Sequence, residues 1–125
     1  MEAILNVYDG CESADPIKTF VCRRVTLGTS NAFDELGKEF DELAEEFNKI
    51  TKEIAELKEG KKEKAEKRLK AISEQMFNTQ TEIIKLFFPT FTREDMNGVD
   101  PNNYYDFCET VGMMRASVFI KAQKN

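Results

Sequence analysis

Residues 33–57 read FDELGKEFDELAEEFNKITKEIAEL. Phe33, Leu36, Phe40, Leu43, Phe47, Ile50, Ile54 and Leu57 recur at alternating spacings of three and four, with Glu, Lys and Asp mostly between them. That period is the a/d seam of a heptad helix, narrower than the broad apolar face of an ordinary globular helix. With Ser30 as N-cap and Asp34 and Glu35 in the first turn, it predicts a helix over 30–59, about eight turns long. Gly37 weakens it by up to about 1 kcal/mol relative to Ala, which this length absorbs.

Downstream, Gly60 sits in KEGKKEK, which holds no large apolar residue. It marks either the turn of an αα-hairpin or a polar stretch of one continuing helix. The seam resumes with Ala65, Leu69, Ile72, Met76, Thr79, Ile83 and Leu86, and Phe77, Ile84, Phe87 and Phe88 widen it. A second helix over 62–88 is predicted, stopped by Pro89. Thr92-Arg-Glu-Asp95 reads as a capping box with Asp in place of Glu, predicting a short helix over 92–97 that Asn97-Gly98 ends. Asp100 as cap and Pro101 at the first helical position open a last helix over 100–121, with Tyr104, Phe107, Val111, Met114 and Val118 at heptad spacing. Ser117 to Asn125 grows polar and is expected to fray.

Upstream, residues 2–8 read as a strand, Asp9-Gly10 as a turn and 17–27 as an alternating strand. Ile17, Thr19, Val21, Arg23, Val25 and Leu27 share one side, and Lys18, Phe20, Cys22, Arg24 and Thr26 the other. A β-hairpin over 1–28 follows, and a lone hairpin must pack on something else. The expected fold is α+β with helix dominant: one domain over 1–125, a hairpin followed by three long amphipathic helices and a short one.

Composition narrows the function. The net charge of −5 argues against nucleic acid as main partner, because phosphate contacts supply most of such affinity. The charge is uneven: residues 34–46 carry seven acidic side chains against Lys38, and residues 58–70 carry seven Lys or Arg against three Glu. These are either solvated helix faces or devices that steer association. Cys11, Cys22 and Cys108 are odd in number and form no CxxC, so reduced thiols are expected. No apolar run approaches the roughly 20 residues that span a bilayer, and MEAILNVYDG lacks the basic start of a signal peptide. A cytoplasmic location is expected.

There is no histidine, which removes the commonest general base and metal ligand. No phosphate loop, dinucleotide fingerprint or zinc spacing is present. Residues 93–100 do not match the ligand order of a calcium loop. No enzyme activity, catalytic residue, cofactor or metal is expected. The seams remain as the strongest signal. Either the helices bury them against one another, or part of a seam is lent to another chain. Phe at core positions 33, 40, 47 and 77 suits a groove for large side chains, and Met76, Met96, Met113 and Met114 would make it adaptable.

Two segments carry a family resemblance. Residues 8–24, YDGCESADPIKTFVCRR, give a strand, an acidic loop and a strand ending in a basic pair. Residues 86–101, LFFPTFTREDMNGVDP, give a helix ending in Phe-Pro, then Phe-Thr and an acidic pair before a last helix. Both resemble the small tail assembly chaperones of long-tailed phages and prophages of Gram-positive bacteria. The region from Phe33 to Met76 is longer than that pattern, and the charged stretch 58–68 reads as an insertion. The resemblance implies a protein that coats the long, apolar, helical tape measure protein and keeps it soluble in the bacterial host cytoplasm. It also implies homo-oligomers, contact with tail tube subunits and a frameshift-extended form of the chain itself. The ending Gln123-Lys124-Asn125 can be encoded CAA-AAA-AAY, which holds the slippery heptamer A-AAA-AAY in phase. Candidate contact residues are Phe33, Leu36, Phe40, Leu43, Phe47, Phe87, Phe88 and Phe91. The rival readings are a self-assembling coiled-coil adaptor and a small nucleic-acid-binding regulator using Arg23, Arg24 and the 58–70 run.

Overall fold

A computed structural model describes the backbone of residues 1–124 and the side chains of residues 1–116. The order is β1 (Ala3–Val7), β2 (Lys18–Cys22), α1 (Leu27–Glu53), α2 (Glu59–Phe87), α3 (Arg93–Met96) and α4 (Pro101–Lys124), with a 3-10 turn at Ile54–Glu56 after α1. This is the expected α+β, helix-dominated fold: an N-terminal antiparallel hairpin, three long helices and a short one. α4 runs to Lys124, beyond the expected end at 121, so the backbone is helical through most of the stretch expected to fray; the Val118 side chain lies outside the described set.

The strands pair with Ala3 opposite Cys22, Leu5 opposite Phe20 and Val7 opposite Lys18. That register decides which side of β2 is buried. Ala3, Leu5, Val7, Phe20 and Cys22 turn inward, and Ile4, Ile17 and Val21 stay exposed. β2 is shorter than the alternation over 17–27 predicts. Arg23–Thr26 leave the strand so that Thr26 can cap α1, its side chain accepting from the Thr29 N–H. The helix therefore begins at Leu27 rather than after Ser30, and Gly28 lies inside its first turn. Ser30 is not a cap. It is buried, and its hydroxyl accepts from Arg115 Nε at 2.7 Å.

Between the two long helices the chain reverses, so 33–57 and the resumed seam form an αα-hairpin and not one rod. The device is not Gly60. α1 tightens into the 3-10 turn, Leu57 and Lys58 are extended, and α2 starts at Glu59, with Gly60 in its first turn. α1 thus ends at Glu53 rather than 59, and α2 begins three residues before position 62. At the far end Phe88 leaves the helical region before Pro89, whose ring excludes that conformation from the preceding residue. The Thr92–Asp95 capping box forms as predicted, with both reciprocal bonds present. Asp100 accepts from the Asn102 N–H at 3.0 Å as α4 opens with Pro101.

The core lies where the hairpin, the C-terminal end of α2 and α4 meet. Leu5, Ile84, Phe91, Phe107 and Val111 are fully buried there. Phe20 packs on Phe88 and Phe91 with ring centroids 5.1 and 5.6 Å apart, and Phe107 meets Phe87 and Phe88 at 5.4 and 5.6 Å. Such offset and edge-on pairs add about 1 kcal/mol each beyond burial. Two contacts finish the outer side of β1. The Asn103 side chain accepts from the Asn6 N–H and donates to the Ile4 carbonyl. The Tyr8 N–H donates to the Gly98 carbonyl at 2.7 Å, next to a bridge between Val7 and Val99. A Cβ at Gly98 would run into the Tyr8 carbonyl oxygen and lie 2.7 Å from Val7 Cγ1, so this close approach requires glycine.

Candidate protein-binding surface

Of the α1 seam, Phe33 packs against that core and the rest runs along α2. Phe33, Leu36, Phe40, Leu43, Phe47, Ile50, Ile54 and Leu57 are all half-buried, and the only fully buried residue of α1 is Ser30. The cause is geometric. A seam spaced at 3 and 4 runs straight along a helix, but a hairpin offers it only one neighbour, α2, over most of its length. On α2, Ile72, Ile83 and Ile84 are buried, whereas Leu69, Met76 and Thr79 are half-buried; of the three buried residues Ile84 lies in the core, and Ile72 is buried midway along the helix.

The eight candidate contact residues divide into two groups. Phe33, Leu36, Phe40, Leu43 and Phe47 line one edge of the hairpin. Phe87 joins them at its base, with the Phe33 ring edge-on to it at 5.7 Å. Phe88 and Phe91 belong elsewhere: at 7% and 1% exposed they are core, not surface. Both rings pack under the β-sheet against Phe20. A shallow groove of about 470 Å³ follows the seam, lined by Glu39, Glu42, Leu43 and Glu46 of α1 and Gln75, Asn78 and Thr79 of α2. The α2 side of this groove was not among the candidates, although the resumed spacing through Met76 and Thr79 signals it.

Among the described side chains, α4 meets α1 at its base. Arg115 reaches Ser30 through Nε and Asp34 through Nη2, each at 2.7 Å, and its guanidinium stands 5.6 Å from the Phe33 ring centre. From there the α1–α2 pair runs on to the turn at Leu57–Lys58. Its tip is the basic run 58–70, tied back by Arg68 to Glu46.

A second depression, of about 990 Å³, lies between the hairpin loop and the α3–α4 connection, and Tyr8, Lys18, Glu94, Asp95 and Asp100 are among its walls. At its edge Lys18 Nζ donates to Asp95 Oδ1 at 2.8 Å. Burial alone would raise the Asp95 carboxyl, but the bonds from Lys18 and Thr92 outweigh it and hold it below the usual aspartate value. Burial pushes the Cys22 and Cys108 thiols up, and pushes the Tyr104 phenol up as well. All three cysteines are unpaired, with Cys11 exposed on the loop. Among the described residues no group of three Cys, Asp or Glu could hold a metal ion, and no helix is long and apolar enough to cross a membrane.

No protein-family profile, curated protein or solved structure matches the chain.

Proposed function

We propose that this chain is a tail assembly chaperone of a long-tailed phage or prophage, which holds the tape measure protein soluble in the host cytoplasm until the tube forms around it. One observation carries the reading. An apolar stripe from Phe33 to Ile50 runs along α1, each residue partly exposed, and beyond Phe33 its described packing is on α2, so its open edge can accept an apolar helix from another chain. Acidic side chains rim the stripe and Met76 lies beside it, which provides solubility and tolerance of client sequence. Nothing in such a task needs a nucleophile or a metal.

The segments that carry the resemblance are also partners in space. Phe20 of the first packs on Phe88 and Phe91 of the second, Lys18 bonds to Asp95, and the Tyr8 N–H bonds to Gly98. They form one body, and the longer helical pair runs on from it.

The test is a light-scattering assay on an apolar helical tape measure fragment diluted from denaturant. An equimolar amount of the chain should suppress the scattering, and Phe40→Ser with Leu43→Ser should lose that effect and also lower the urea midpoint, since both side chains pack on α2. If the fragment precipitates equally fast with a large excess of the intact chain, the reading is wrong.

A further inference from the structure

The two edges of the sheet are finished differently. On β1 the Ile4 carbonyl accepts from Asn103 Nδ2, the Asn6 N–H donates to Asn103 Oδ1 and the Tyr8 N–H donates to the Gly98 carbonyl. Backbone groups alternate sides along an antiparallel strand, so Ala3, Leu5 and Val7 turn theirs to Cys22, Phe20 and Lys18 of β2. The same alternation points the N–H and C=O of Thr19 and Val21 away from β1. Among the described residues nothing bonds to these four groups, and both residues are exposed. The register of β2 is unbroken from Lys18 to Cys22, without the proline or bulge that often blunts an edge. Lys18, the one charge within β2, is drawn to Asp95 of the body.

Two further features specify what fits there. The outer face beside this edge is apolar. Ile4 and Val21, paired directly across the strands, are 42% and 39% exposed, and Ile17 is exposed next to the loop. The edge is also basic. Residues 17–24 carry Lys18, Arg23 and Arg24 and no acid, in a chain of net charge −5. Arg24 makes no ion pair among the described residues, and Arg23 reaches Glu2 at 3.4 Å between two exposed side chains. The loop at the other end of β2 has the opposite sign, with Asp9, Glu12 and Asp15.

We propose that β2 takes an extended segment of another protein as a third strand, antiparallel to β2, with alternate apolar side chains and acidic residues at its N-terminal end. Unpaired backbone groups at every second residue, about 7 Å apart, match another strand. The Ile4–Val21 face receives the apolar side chains. Charge sets the direction. In an antiparallel partner the first residues lie beside Arg23 and Arg24 and the last beside the acidic loop. A parallel partner would need its acids at the opposite end, and its slanted bonds are slightly less stable. A second copy of β2 is the poorer occupant. In the register that uses all four groups it sets Ile17 and Pro16, not an acid, opposite Arg23 and Arg24. The site uses no residue of the α1 stripe, so it stands apart from the chaperone reading.

The test is hydrogen exchange and peptide titration on the isotope-labelled full chain. Without peptide, the Thr19 and Val21 amides should exchange at least tenfold faster than those of Phe20 and Cys22. The blocked peptide DEVTVTV should protect both amides, and VTVTVED and KKVTVTV should bind at least tenfold more weakly. Val21→Pro removes an N–H that β1 does not use, so that variant should keep the parent's urea midpoint and lose the peptide. Arg23→Glu with Arg24→Glu should reverse the preference, to KKVTVTV. The proposal is overturned if DEVTVTV protects neither amide at millimolar concentration, if Val21→Pro binds it as the parent does, or if KKVTVTV or VTVTVED binds the parent as tightly. Protection that rises with protein concentration before any peptide is added assigns the edge to a second copy and also overturns it.

Discussion

Asp95 is the residue through which the hairpin and the helical body are most directly joined, and replacing it separates two costs. Its side chain is 8% exposed and accepts twice, Oδ1 from Lys18 Nζ and Oδ2 from the Thr92 N–H at 3.0 Å, while its backbone N–H donates to Thr92 Oγ1 at 3.1 Å. In Asp95→Ala the last bond survives. Loss of the reciprocal cap, which leaves the part-buried Thr92 N–H without its acceptor, costs about 1–2 kcal/mol. Lys18 is 51% exposed and returns to water, so its share is at most about 0.5 kcal/mol. The expected total is about 1–2.5 kcal/mol, read as a lower urea midpoint at unchanged m-value. Asp95→Asn keeps an acceptor for Thr92 and should cost about half as much, mainly the charge-assisted part.

The pH dependence gives the sign. The folded Asp95 carboxyl titrates below its unfolded value, so the stability it contributes is present above the unfolded value and lost as pH falls through the folded one. Urea midpoints of the intact chain should therefore fall more steeply below about pH 4 than those of Asp95→Asn. An alanine variant within about 0.5 kcal/mol of the intact chain would refute this account of the joint, as would an unchanged acid limb in the asparagine variant.

Gly98→Ala should lower the melting temperature through a loss of about 2 kcal/mol, because the new methyl has to displace the Tyr8 carbonyl; a variant that melts with the parent would contradict the close approach. Arg115→Met keeps the stem over Phe33 but leaves the buried Ser30 hydroxyl without its donor. It should cost about 1–2 kcal/mol and speed hydrogen exchange in residues 27–34, with Ser30→Ala in the same background recovering part of the loss. Of the three thiols, only Cys11 should react promptly with a disulfide reagent at neutral pH, since burial raises the other two; all three should react in urea.

The helices were legible because their signals are local and redundant. The spacing from Phe33 to Leu57, the Thr92–Asp95 box and Pro101 after Asp100 each specify an element with no help from the rest of the chain. Failures came where a long-range partner decides. The alternation over 17–27 offers two equivalent sides, and only pairing with Ala3, Leu5 and Val7 above Phe88 and Phe91 selects Phe20 and Cys22. Ser30 has the chemistry of a cap, but Thr26 caps first, which leaves Ser30 to an arginine 85 positions away. At the surface, heptad spacing identified the stripe but not its depth. Phe40 sits in the seam of α1 and is half-buried, whereas Phe91 lies between α2 and α3 and is core because it packs on Phe20, a partner 71 positions away.

The amide of Asn103 has an effect beyond anchoring α4. By occupying the Asn6 N–H and the Ile4 carbonyl it acts as a stub strand, and the sheet can gain a strand only beside β2. A hairpin extendable on both sides could stack into an open-ended fibre. One extendable on a single side joins at most one neighbour there and stops, which keeps a protein with ten Phe from growing into aggregates through its own backbone.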